Sequence, residues 1–348
     1  MELTQTRALM QRKLEETAFD TYGVLIGCRG EEEAFFSENA NEDTLFDIAS
    51  CGKVLHTVPL ALQAIGEGKL SLDSVLDDFF PNVPEEKKRV TVRQLMTHTS
   101  GIVRIPLLKE ICAQGTDATA ALILSAPLAF APGTNYVYSC NGMNLLGFIV
   151  EKLYGKTMDL LFQERLKAPL GMTRSRFEIA VNEPNAAVCY TRAQAGATRF
   201  DDDNVQSMGR VCGAGGSFFT ATDIRKYVLA VLAKDEQLYR KEFFALAETD
   251  YTPHYEVGRG LGWLIVDGRY PQTGTLFPAG SFGHCGHTGQ SIFINRELGL
   301  YAIILSNATR FSAMKCGYQS HNYGTVEALR AEIHNAIHTD LRAQGLIH

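Results

Sequence analysis

Residues 46–66 read F-D-I-A-S-C-G-K-V-L-H-T-V-P-L-A-L-Q-A-I-G, and the fold turns on how this stretch is understood. The short apolar run Phe46 to Ala49 reads as the end of a strand. Ser50 then stands where a helix N-cap is wanted, because its hydroxyl can accept from the free amides of the first turn. Leu55, Val58, Leu62 and Ile65 recur at steps of three and four, the helical period. Pro59 removes an amide donor and should kink that helix near Leu55 or His56, with Gly66 and Gly68 ending it. Ser50 and Lys53 therefore lie one turn apart at the helix start. A serine hydroxyl becomes a nucleophile when a base takes its proton, and a lysine whose pKa burial has lowered can be that base. The bland alternative is an ordinary N-cap with a surface lysine behind it. A second S-x-x-K, Ser312 to Lys315, runs into Cys316-Gly317-Tyr318 without helical periodicity and reads as a loop.

Composition narrows the class. A chain of 348 residues with 45% hydrophobic and 21% charged residues suits a soluble globular protein of one large domain or two closely packed ones. A net charge of −6 and a pI near 5.9 give no reason to expect nucleic acid. No run approaches a transmembrane helix, so no membrane is expected. The charged, amphipathic start M-E-L-T-Q-T-R-A-L-M-Q-R-K-L-E-E-T lacks the apolar stretch of a secretory signal. Eight cysteines without a C-x-x-C pair agree with a reducing, cytoplasmic setting.

Along the chain, a first helix precedes a strand at 22–28 and a hairpin partner at 34–37, turning at Glu31-Glu32-Glu33. From 69 to about 200 helical pieces alternate with loops: Ala118 to Leu124, Leu145 to Leu153 ending at Gly155, and Met158 to Leu166. Asp201-Asp202-Asp203 reads as a solvated loop. Cys212 to Gly216 reads as a flexible turn before a helix capped near Thr220 or Thr222. Strands return at 261–266, 289–294 and 300–305, and a helix spans Val326 to Leu341. Strands at both ends with helices between predict an α+β protein (α/β in the broad sense). Its one antiparallel sheet is flanked by N- and C-terminal helices, with a mostly helical lobe beside it. The expected division is 1–68 with 217–348 as the sheet domain and 69–216 as the helical one. A small-molecule site is expected in the cleft between them.

Five segments in order carry a resemblance. They are F-D-I-A-S-C-G-K, L-S-L-D-S-V-L-D-D-F-F-P starting at Leu70, V-T-V-R-Q-L-M-T-H-T-S-G (90–101), A-P-G-T-N-Y-V-Y-S-C-N-G-M-N-L-L-G (131–147) and F-G-H-C-G-H-T-G (282–289). Together they resemble the serine β-lactamase and penicillin-binding protein superfamily, closest to its class C-like branch of DD-peptidases, D-aminopeptidases and carboxylesterases. The resemblance implies the β-lactamase/transpeptidase-like fold, Ser50 as the acylated nucleophile and Lys53 as its activating partner. Tyr138, in Y-S-C, matches the family's Y-x-N tyrosine, a base for Ser50 and proton donor to the leaving group. His284-Cys285-Gly286 matches the third motif and should begin the strand beside the nucleophile. The amide of His287 would join that of Ser50 as an oxyanion hole. Gly286 would keep that strand clear for substrate.

Two departures bear on substrate. Cys140 stands where Y-x-N has asparagine, and a thiol is a weak donor and acceptor. His284 replaces the lysine of K-T-G and is mostly neutral at pH 7, so it grips a carboxylate poorly. Both changes favour small esters, amides or peptides over β-lactams. A true β-lactamase or DD-carboxypeptidase is the alternative, and a slowly acylating, non-turnover ligand-binding protein is a second. A zinc site at His284, Cys285 and His287 is disfavoured because residues three apart on a strand face opposite ways. His334 and His338, at i and i+4, read as a solvated helix face. No metal and no cofactor are implied. Pocket-lining loops are expected around 102–116, 190–215 and 268–281, and oligomeric state is not encoded in any pattern.

Overall fold

Strands whose residues are apolar on both faces need cover on both sides, and the central strands here have it. Along β9 (Leu300–Ser306), Leu300, Ala302 and Ile304 pack in one core while Tyr301, Ile303 and Leu305 pack in another. The structure is a computed structural model that describes residues 1–30, 33–179, 183–187, 200–310 and 323–348. Among these, β1 (Tyr22–Gly27), β2 (Ala34–Glu38), β5 (Gly258–Arg259), β6 (Leu264–Ile265), β7 (Phe282–Cys285) and β8 (Ser291–Asn295) join β9 in one sheet. Its order is β2-β1-β9-β8-β7-β6-β5 and its pairings are antiparallel. A separate ribbon pairs β3 (Phe46–Asp47) with β4 (Phe218–Phe219).

The N-terminal helix Thr4–Glu15 and the C-terminal helix Tyr323–Ala343 cover one face of the sheet. They are fastened to each other by Asp340, whose carboxylate accepts from the Thr6 amide at 2.8 Å and the Thr6 hydroxyl at 2.7 Å. The second core lies on the other face, among helices Val58–Gly66, Thr116–Ser125, Cys140–Tyr154, Met158–Phe162 and Ala221–Ala233. No helix among the described residues is long and apolar enough to cross a membrane.

Several expectations are corrected. Ser50 is not an N-cap: it sits inside a 3-10 turn, Ala49–Cys51, entered through Ala49 at φ +46°. The backbone then widens into a π-turn, Lys53–Thr57, before the α-helix Val58–Gly66. Pro59 explains the widening at the place expected of a kink, since it can supply no amide to a carbonyl one turn back. His334 and His338 are buried rather than solvated, because the C-terminal helix turns that face to the sheet. His334 meets the Ser291 hydroxyl at 2.9 Å and packs edge-on against Phe277 and Phe293. The Cys212–Gly216 turn is packed rather than flexible; a Cβ at Gly213 would lie 2.0 Å from the Met143 carbonyl oxygen. Thr220 does cap the following helix, accepting from Asp223 at 3.1 Å. Glu31, Glu32, the second S-x-x-K at Ser312–Lys315 and residues 190–199 of an expected pocket loop lie outside the described residues.

Candidate active site

Three segments, 50–53, 138–140 and 284–287, bring the expected residues together at one end of the sheet. The 3-10 and π-turns carry Ser50 and Lys53, and the Lys53 ammonium donates to Ser50 Oγ at 2.9 Å. Its other two protons go to the Ala214 carbonyl at 2.7 Å and the Cys140 thiol at 3.5 Å. Three donors thus meet three acceptors. Cys140 opens the helix Cys140–Tyr154, capped by Ser139, which accepts from Gly142 at 2.9 Å. Tyr138 precedes that cap, its ring 5.1 Å from Lys53 Nζ and its hydroxyl turned toward Ser50 and Lys53.

The charge state differs from the expected one. Burial alone would lower the pKa of Lys53, but Cys140, Tyr138 and Asp202 outweigh it and hold the group above the ordinary lysine value. Burial pushes the Tyr138 phenol up to about 12, against the pull of Lys53. Both groups are protonated at neutral pH.

His284 lies at the end of β7, so the third motif closes that strand instead of beginning it. Burial, followed by Arg259 and Lys53, drives its pKa well below 6.5, which keeps the imidazole neutral as expected. Its Nδ1 donates to the Cys285 carbonyl at 2.8 Å, leaving Nε2 as a buried acceptor without a partner among the described residues. Gly286 is required for a reason other than the expected one. A Cβ there would sit 2.5 Å from the Ile48 carbonyl oxygen, so the chain's own backbone occupies that space.

The cavity in front of Ser50 measures about 300 Å³, and Tyr138, Cys140, His284, Gly286 and His287 line it with the serine. Arg104, Tyr270 and Gln272 come from two of the three expected loops, and the third contributes Asp202. Several lining groups carried no sequence signal. Arg259 on β5 is 3% exposed; its Nη2 donates to Tyr136 Oη at 2.7 Å, and its Nη1 has no partner among the described residues. Arg330, on the C-terminal helix and 4% exposed, donates to the Gly286 carbonyl at 2.7 Å, its Nε equally unpartnered. His98, of T-H-T-S-G, does not itself line the cavity but packs its ring 4.6 Å from that of Tyr138 and accepts from the Ser139 amide at 3.2 Å.

The three aspartates are not a solvated loop. Asp201 is 6% exposed and pairs with His287 Nε2 at 3.0 Å, while Asp202 caps the helix Asp203–Met208. Asp47, fully buried, accepts from the Ala49 amide at 2.9 Å, and burial raises its pKa to about 6. Burial would lower the pKa of His287, but Asp201, Asp202 and Asp47 raise it. The run Asp201-Asp202-Asp203 gave no sign of this cluster in the sequence, because its histidine partner lies 86 residues further on. Among the described residues no group of three or more His, Cys, Asp or Glu is arranged to hold a metal ion.

A family model described as beta-lactamase matches residues 8–320. A protein of Escherichia coli (strain K12), provisionally named D-alanyl-D-alanine carboxypeptidase, is 27% identical over 310 residues, 77% of this chain and 70% of its own length. Esterase EstB of Burkholderia gladioli is 28% identical over 318 residues, covering 76% and 78% respectively. Among solved structures, one of a class C beta-lactamase aligns with a TM-score of 0.73 at 20% identity, over 96% of this chain and 97% of that one.

Proposed function

Since the chain belongs to the beta-lactamase family, we propose that it is a serine hydrolase that forms an acyl-enzyme at Ser50 on small esters or amides. The observation that carries this reading is the Lys53 ammonium on Ser50 Oγ at 2.9 Å with the Tyr138 phenol facing both. In this reading one proton leaves the Lys53–Tyr138 pair, and the pair then accepts the proton of Ser50 as Oγ attacks the acyl carbon. Tyr138 returns that proton to the leaving alcohol or amine. Water then attacks the ester at Ser50, with the same pair as base. The amides of Ser50 and His287 hold the oxyanion. The relatives' names, an esterase and a carboxypeptidase, support ester or amide chemistry.

The neutral His284 and the thiol of Cys140 favour plain esters over β-lactams, each weakened polar contact costing roughly 1–3 kcal/mol of transition-state binding. kcat/KM for p-nitrophenyl butyrate should therefore exceed that for nitrocefin, and Ser50→Ala should lose activity by about 10³-fold or more. An organophosphonate should label Ser50; labelling at Ser100 or Ser217 instead would end the assignment.

One observation favours a second reading, a peptidase for D-Ala-D-Ala-like peptides. Arg259 and Arg330 are buried without an ion-pair partner among the described residues, and a substrate carboxylate would satisfy them. A D-alanyl-D-alanine peptide turned over faster than the butyryl ester would select it. Cys51, Cys112, Cys140, Cys212 and Cys285 carry free thiols, which supports a reducing compartment.

A further inference from the structure

The ester chemistry gives no role to the third contact of Lys53. Its Nζ lies 3.5 Å from Cys140 Sγ, and this sulfur lines the cavity together with Ser50. The thiol also opens a fifteen-residue helix, at the end where the helix dipole is positive. The other described cysteines differ. Cys51 and Cys212 point their thiols at carbonyl oxygens, of His284 and Gly215 respectively. Cys285 reaches the cavity, but burial raises its pKa and no cation donates to its sulfur among the described contacts. Cys140 thus combines access from the cavity, a helix N-terminus and a lysine nitrogen 3.5 Å from its sulfur.

We propose that Cys140 and Lys53 form a covalent modification site, closing to a sulfur–nitrogen link when a hydroperoxide enters the cavity. The thiolate attacks the terminal peroxide oxygen, the O–O bond breaks, and alcohol or water departs with the proton. The sulfur is oxidised by two electrons to a sulfenic acid, and the peroxide is reduced. Lys53 then loses a proton and its nitrogen displaces hydroxide from sulfur as water. The product is a sulfenamide, Cys140 Sγ–Nζ Lys53. Two equivalents of external thiol reverse it, the first opening the S–N bond to a mixed disulfide and the second releasing the cysteine. While the link stands, Lys53 can neither hold Ser50 nor exchange protons with Tyr138. Formation of the link rests on geometry, and its effect on turnover rests on the hydrolase reading above.

The experiment treats the intact chain with hydrogen peroxide and follows mass and ester turnover in parallel. The mass should fall by about 2 Da, as oxygen is gained and water lost. A fragment joining the Lys53 and Cys140 peptides should appear, and dithiothreitol should restore both mass and activity. The inactivation rate of Cys140→Asn, scaled to its own untreated activity, should fall about tenfold or more; Cys140→Ala gives the same reading if the asparagine variant does not fold. A persistent dimedone-reactive sulfenic acid without the joined peptide overturns the proposal. So does equal inactivation of wild type and Cys140 variants. A chain that forms the link but shows no organophosphonate labelling at Ser50 keeps the modification site and loses the hydrolase reading.

Discussion

Lys53 has three N–H protons and three acceptors around it, so the resting site is an ammonium clamped on Ser50, not a free amine waiting beside it. With Lys53 above its ordinary value and Tyr138 up to about 12, the base-competent form lacks one proton of the pair. That form grows as pH rises, and the apparent pKa belongs to the pair, not to either residue. kcat/KM for a neutral ester should therefore climb from pH 6 past about pH 9, and a profile flat over that range would refute this proton arrangement. Asp47 gives a second pH effect, on stability. Its carboxyl is raised by burial to about 6 in the fold, against roughly 3.9 in an unfolded chain, so the folded state binds the proton more tightly. The contribution is complete below about pH 4 and is lost as pH rises through about 6, on the order of 3 kcal/mol. Asp47→Asn should flatten that part of the melting-temperature profile; an unchanged slope would show that Asp47 stays ionised throughout. Spacing and family resemblance made Ser50, Lys53 and Tyr138 legible in the sequence. Asp47 was not, though it stands in the same quoted stretch, because what raises its pKa is burial.

At the scale of elements, the turn at Ser50 shows what local pattern can and cannot foretell. Pro59 announces a disturbed helix near Leu55, but the form it takes depends on tertiary partners. In the π-turn the Val58 amide reaches back to the Lys53 carbonyl, and the next bond would run from residue 59 to the Val54 carbonyl. Pro59 has no N–H to give, and the hydroxyl of Tyr227, from helix Ala221–Ala233, donates to that carbonyl instead. Nothing near position 54 in the sequence points 173 residues ahead to Tyr227. Tyr227→Phe should cost about 1–3 kcal/mol, the penalty for a buried carbonyl left unpaired, read from the denaturation midpoint. In a Pro59→Ala background, where an amide returns, the same change should cost measurably less. Equal costs in both backgrounds would mean that the proline and the tyrosine act independently. The other clamp on this turn is equally non-local: Thr288 and Gln290 side chains donate to the Asp47 carbonyl at 2.8 and 2.7 Å, tying β3 to the loop after the third motif.

Across the whole molecule the cavity is assembled from segments that meet only in the folded chain: Ser50 near one end, Arg330 near the other, Tyr138 and Arg259 between. Arg259 and Arg330 look like any surface arginine in the sequence, and Asp201 like any loop acid, because a charge gains meaning from what it faces. Arg330 shows the consequence. It is a buried cation without an acid partner among the described residues, which is unfavourable for the fold unless something compensates. Its Nη1 donates to the Gly286 carbonyl, so through it the C-terminal helix holds the third motif in register against Ile48. Arg330→Met keeps much of the volume, removes the desolvated charge and frees that carbonyl. The gain and the loss oppose each other, so stability should stay within about 1 kcal/mol of wild type. Ester turnover should nevertheless fall about tenfold or more, since the His287 amide follows Gly286 directly and a small shift there would misplace the oxyanion donor proposed above. A variant that loses several kcal/mol of stability while each folded molecule keeps its full kcat/KM would make Arg330 a strut of the fold and nothing more.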